Sequence, residues 1–83
     1  MEFKKEENRI YIDNENGKIM AEIEFEELDK NKYNIYHTFV DESLRGQGIA
    51  SKLVEAAISE IKARGGEVQA TCSYAKAWLE KHK

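Results

Sequence analysis

Three places in this sequence carry groups suited to chemistry on an anionic, activated ligand: the turn Arg45-Gly46-Gln47-Gly48-Ile49-Ala50, His37 ahead of it, and Cys72 behind it. The turn follows a β-rich stretch ending at Val40 and opens into an apolar helical stripe. A helix N-terminus leaves backbone N–H groups without intrahelical partners, and the helix dipole adds partial positive charge there. Glycines at 46 and 48 remove the Cβ atoms that would hold an anion away from those groups. Arg45 adds a guanidinium fork matched to a phosphate oxygen. Together these predict a seat for a pyrophosphate. Histidine is the side chain that exchanges a proton near neutral pH. Cys72 directly precedes Ser73, which can cap a helix, and a helix N-terminus favours the reactive thiolate.

The glycine spacing excludes two commoner phosphate loops. A dinucleotide fingerprint needs Gly-x-Gly-x-x-Gly, and a P-loop needs Lys-Ser/Thr after its glycines; neither occurs. Arg45-x-x-Gly48-x-Ala50 instead resembles the Arg/Gln-x-x-Gly-x-Gly/Ala signature of GNAT-type N-acetyltransferases. Ser51-Lys52-Leu53-Val54 continues the helix behind it. The run from His37 to Leu53, with Cys72-Ser73-Tyr74-Ala75-Lys76, is similar to the very small stand-alone members of that superfamily, and the resemblance covers residues 33–79. It implies acetyl-CoA as the bound co-substrate, an amine as acceptor, and direct transfer of the acetyl group from the thioester. It implies two strands that splay apart, one ending at Phe39 and Val40, the other at Thr71 and Cys72. The backbone of Phe39 and Val40 then holds the pantetheine amides as an added strand would. Arg45, Gly46, Gln47, Gly48, Ile49 and Ala50 wrap the pyrophosphate, Ser51 adds a hydroxyl, and Cys72, Ser73 and Tyr74 border the thioester end.

Acetyl transfer to an amine needs a base for the amine proton, a donor to the thioester oxygen and a proton for the leaving thiolate. His37 is the candidate base; strand alternation puts it on one face with Tyr33, Ile35 and Phe39, where it could equally be a histidine bordering the sheet. Cys72 stands where many relatives carry asparagine. It is open to three readings: covalent acetyl acceptor, mixed-disulfide partner of coenzyme A, or inert buried thiol. In many relatives a tyrosine seven residues after that asparagine supplies the acid, and here the position is Leu79. Tyr74 or a water would have to substitute, unless Tyr74 packs on Trp78. Glu22, Glu24 and Glu26 form an acidic row that either attracts a cationic amine or is the solvated face of a sheet. No His, Cys, Asp and Glu cluster with metal-ligand spacing lies along the chain, so no metal is implied.

These groups need a scaffold, and the hydropathy pattern supplies one. Asn8–Asp13 and Lys18–Glu26 alternate as half-buried strands, joined by the turn Asn14-Glu15-Asn16-Gly17. In the second strand, Ile19, Ala21, Ile23 and Phe25 oppose Met20 and the glutamates. Asp29–Lys32 is a second turn, and the aromatic and β-branched stretch Tyr33–Val40 a third strand. The period then changes to helical from Gln47 to Arg64, with Ile49, Leu53, Val54, Ala57, Ile58 and Ile61 on one stripe and Gly65-Gly66 as the stop. Glu67–Thr71 reads as a strand and Ser73 onward as a helix with Tyr74, Ala75, Trp78 and Leu79. The fold class is α+β: an antiparallel meander running into one β-α-β unit with a right-handed crossover and a C-terminal helix.

With 83 residues, this is one domain spanning 1–83. Relative to the full family pattern it is short, without the N-terminal helices and final strands of a complete acceptor site. The sequence has no membrane-spanning apolar run and one cysteine, which predicts a reducing, cytoplasmic setting. Residues 1–44 hold six Lys and Arg against twelve Asp and Glu, and residues 45–83 hold seven against four. The net of −3 argues against nucleic acid as partner, while the basic half coincides with the proposed anion seat. A monomer and a homodimer are both compatible. Two rival readings of the whole are a coenzyme A or acyl-CoA-binding module without efficient catalysis, and an interaction domain pairing through the edge of Asn8–Asp13.

Overall fold

The computed structural model describes residues 2–82. Five strands, β1 (Lys4–Glu6), β2 (Arg9–Asp13), β3 (Ile19–Asp29), β4 (Lys32–Val40) and β5 (Glu67–Ala70), form one sheet in sequential order. Every pair is antiparallel except β4 with β5, which run parallel because helix α1 (Ile49–Ala63) carries the chain back across the sheet. A final helix, α2 (Ser73–Lys81), follows β5. The meander, the crossover and the terminal helix are as the periodicities predict. The sequence reading misses β1, three exposed charged residues with no apolar alternation to mark them. It also misses a 3₁₀ turn, Glu42–Leu44, capped by the Asp41 carboxylate through Ser43.

The core forms between one face of the sheet and α1. Ile10, Ile12, Ala21, Ile23, Phe25, Tyr33 and Ile35 from the strands meet Ile49, Leu53, Val54, Ala57 and Ile61 from the helix. Strand alternation leaves Arg9, Glu22, Glu24 and Glu26 on the opposite, outer face. The helix ends in a paired hydrogen-bond motif: Gly65 donates to Lys62 O at 2.9 Å and Gly66 to Ile61 O at 2.9 Å. Gly65 takes φ +78°, the conformation this ending requires.

Two irregularities position the groups of interest. The β3–β4 register pairs Glu24 with His37 but Phe25 with Ile35, so Tyr36 is an extra residue, a β-bulge. The bulge shifts the phase of β4. Tyr33 and Ile35 point into the core, whereas His37 and Phe39 share the outer face with their register partners Glu24 and Glu22. The expectation that His37 shares a face with Tyr33 and Ile35 is therefore corrected. Simple alternation holds up to Ile35 and is inverted after it. The second irregularity is the end of the β4–β5 ladder at Ile35 and Ala70. Thr71 and Cys72 both donate to the Ile35 carbonyl, at 3.0 and 3.2 Å, and the strands then part.

Gly66 is required for space and not for conformation. A Cβ there would lie 2.6 Å from Tyr33 Cδ1, 2.7 Å from Cε1 and 3.0 Å from Ile61 Cγ2. Gly66→Ala should thus destabilise the domain by about 1–3 kcal/mol through overpacking. Urea denaturation would check this, and an unchanged midpoint would show that the Tyr33 ring yields without cost.

Candidate functional site

Beyond Ile35, β4 continues as far as Val40, paired with β3 on one side and, among the described residues, with no strand on the other. Its free edge leads directly to the 3₁₀ turn and then to Arg45–Gly48. Gly46 and Gly48 have φ +83° and +73°, the left-handed region where a side chain is strained. A Cβ on either would meet nothing within 4 Å, so the backbone faces open space. Gly48 is the N-cap of α1 and has no side chain to satisfy the first helical amides. A concavity of about 220 Å³ forms here, lined by Val40, Leu44, Arg45, Gly46, Gly48, Ile49, Ala50, Ser51 and Tyr74. Eight of the residues expected to contact the cofactor, Tyr74 from α2 among them, thus converge on one place. Gln47 lies in the same turn, exposed. A larger groove of about 580 Å³ lies between α1, β5 and α2, lined by Ile58, Val68, Trp78 and Leu79 among others. It holds none of the converging residues and no amide-rich turn, so the smaller concavity is the candidate site.

Side chains around the turn are already engaged. Arg45 Nε donates to Val40 O at 3.4 Å, laying the exposed guanidinium along the mouth of the gap. Ser51 Oγ accepts from Trp78 Nε1 at 2.8 Å, which leaves its own proton available. Trp78 stacks on His82 with ring centroids 3.9 Å apart, so its principal aromatic partner is His82 and not Tyr74. Tyr74 is exposed beside the turn, and Leu79 belongs to the other groove.

Cys72 is the N-cap of α2, and Ser73 is the first helical residue; the expected capping serine lies one position too late. Cys72 Sγ lies 3.4 Å from Thr38 Oγ1. Burial pushes the thiol pKa up. Hydrogen bonding to the Thr38 hydroxyl and to the amides of Ala75, Tyr74 and Thr38 outweighs burial, leaving it below the ordinary 9.0.

His37 stands on the other side of β4. Its Nε2 is 3.2 Å from Glu22 Oε2 and 4.0 Å from Glu24 Oε1. Glu22 Oε1 in turn accepts from Arg9 Nη1 at 3.2 Å, and Arg9 lies over the Tyr11 ring. His37 and Phe39 therefore flank the gap from the outer face, while Cys72 and Thr38 meet across it, and no hydrogen bond joins His37 to Cys72 among the described residues. Sequence reasoning does not find the partners Thr38, Glu22 and Arg9, because each comes from a different strand and only the register brings them to His37 or Cys72.

Thr38→Val removes one of the groups that favour the thiolate. The pH midpoint for iodoacetamide alkylation of Cys72 should therefore rise in the variant. An unmoved midpoint would mean the Thr38 contact does not tune the sulfur.

Comparison with known proteins agrees with this geometry. A family model described as "GCN5-related N-acetyl-transferase" matches residues 9–83. The solution structure of a GCN5-like protein from Staphylococcus aureus superposes with a TM-score of 0.81 at 38% identity, covering 98% of this chain and 79% of that one. An acetyltransferase from Bacillus cereus matches with a TM-score of 0.66 at 25% identity, over 75% of this chain and 44% of that one. A protein from Pyrococcus furiosus shares the fold, with a TM-score of 0.70 at 24% identity over 89% of this chain and 56% of that one. Among proteins of curated function, none matches significantly. With the family pattern running from β2 to the end of the chain and the glycine turn where that pattern needs it, the chain belongs to the GCN5-related N-acetyltransferase family.

Proposed function

We propose that this protein binds acetyl-CoA and transfers its acetyl group directly to an amine. The observation that carries the proposal is the open edge of β4 running into a turn with two left-handed glycines and an uncovered helix N-terminus. The free backbone of Phe39 and Val40 suits the pantetheine amides, and residues 45–51 suit the pyrophosphate. The space above Gly46 and Gly48 is what close approach of phosphate oxygens to the backbone requires.

The bound thioester supplies the acyl carbon, and the chain supplies proton handling. The amine approaches from the outer face, where His37, its Nε2–H donating to Glu22, takes the amine proton on Nδ1 as the nitrogen attacks. Glu22, 3.2 Å away and anchored by Arg9, stabilises the imidazolium that forms. The C–S bond breaks and the coenzyme A thiolate takes up a proton, from Tyr74 or from water. His37 and Cys72 lie on opposite sides of β4 with no bond between them, which favours direct transfer over an acetyl-cysteine intermediate. Cys72 then acts as a polar neighbour of the thioester end. Its free thiol suits a reducing compartment such as the cytoplasm. No helix among the described residues is long and apolar enough to cross a membrane. A binding module without turnover is the second reading, favoured by Leu79, which lies in the larger groove and has no proton to give.

Titration with acetyl-CoA, followed by amide NMR, should shift residues 39–40 and 45–51. Arg45→Gln should weaken binding by about ten-fold, the loss of one charge-assisted hydrogen bond. Perturbation confined to the larger groove would sink the site assignment. His37→Gln should leave binding intact and lower turnover by about 10²–10⁴-fold. Equal turnover in the variant would remove His37 as base, and absence of turnover in the parent protein across a panel of amines would leave the binding module.

A further inference from the structure

The outer face of the sheet carries a second constellation. β3 supplies Glu22 and Glu24, which strand alternation puts on one face, and β4 supplies His37, which the Tyr36 bulge turns to that same face. One donor atom from each of these residues can be chosen so that all three lie within 4.8 Å of one another. We propose that Glu22, Glu24 and His37 form a three-ligand site for a divalent transition-metal ion of the zinc type.

The spacing fits the ion. Ligands about 2.0–2.1 Å from a tetrahedral Zn²⁺ lie about 3.3–3.4 Å apart. His37 Nε2 is 3.2 Å from Glu22 Oε2 and 4.0 Å from Glu24 Oε1, separations that bracket this value. Side-chain rotations would have to bring the longer one, and the Glu22–Glu24 separation of at most 4.8 Å, into range. Each carboxylate also has its other oxygen occupied. Glu22 Oε1 accepts from Arg9 Nη1 at 3.2 Å, and Glu24 Oε2 faces the Tyr36 hydroxyl at 3.5 Å. Such an outer ring fixes ligating carboxylates, here with the remaining oxygen of each towards the imidazole.

The ligands stand on paired strands, which hold them more firmly than a loop would. The side chain of Glu22 is 19% exposed and that of Glu24 34%, so both are partly withdrawn from water. His37, at 43%, leaves the fourth position open to solvent. Among the described residues Arg9 is the one Lys or Arg paired with these carboxylates, so an incoming dication meets net negative charge. A proton on Nε2 competes with the metal for the same lone pair. The consequence for catalysis rests on the proposed function: if His37 is the base, the metal-bound form cannot take the amine proton, and the ion acts as an inhibitor. Metal binding itself does not depend on that reading.

The test is titration of the full chain with zinc chloride slightly above neutral pH, read by calorimetry and by imidazole NMR. One equivalent should bind, with shifts at Glu22, Glu24 and His37. Glu24→Gln and His37→Gln should each weaken binding by about ten-fold or more, and Tyr36→Phe by less. Shifts confined to His82 or Cys72, or equal affinity in both ligand variants, would overturn the site. Parallel acetyl-CoA titrations verify that each variant is folded. If acetyl-CoA fails to bind even the parent protein, the cofactor reading falls while the zinc result stands.

Discussion

A single carbonyl, that of Ile35, organises the functional end of this molecule. It accepts from Thr71 and Cys72 together, so the chain after β5 takes no further step along β4 and the parallel ladder ends there. From there β4 must run on with one edge unpaired, and β5 must turn away into α2. An unpaired edge in the middle of a domain is normally costly or hazardous. Here it leads into the turn at Gly46 and Gly48, whose backbone faces open space. The free edge of β4 thus leads without a break to the N-terminus of α1, and the acetyl-CoA proposal rests on that arrangement.

The bulge at Tyr36 does the complementary work. Without it His37 would point into the core among Ile35 and Tyr33, where an imidazole would lack partners. One extra residue moves it to the glutamate face and turns Thr38 towards Cys72. The two nucleophile-and-base candidates are thereby kept apart, each with its own polar partner. The sheet acts as a partition: the thiol and the helices lie on one side, the charged side chains of Arg9, Glu22, Glu24 and His37 on the other.

Much of this was legible in the sequence because it is local. The glycine turn, the stripe from Ile49 to Ile61, the alternation from Ile19 to Phe25 and the Gly65-Gly66 stop all lie within a few residues of what they control. The face of His37 was not legible. Tyr36-His37-Thr38 reads as plain alternation, and the bulge exists only because the β3 partner sets a register that β4 must satisfy. The gathering of Glu22, Glu24 and His37 was illegible for the same reason, since ligand spacing along a chain cannot register neighbours made by pairing distant strands. The strand β1 was missed for a different reason: Lys4, Lys5 and Glu6 are all exposed, and pairing with β2 is the only thing that makes them a strand.

The bond from Trp78 to Ser51 has a practical bearing. Trp78 is the only tryptophan of the chain. Its indole N–H rests on a residue of the first helical turn, and its ring is stacked on His82 at the end of α2. Indole emission responds to hydrogen bonding and to stacked aromatic neighbours. The domain therefore carries its own optical gauge, wired at one end to the glycine turn and at the other to the C-terminal helix, and it can report on both without any label being attached.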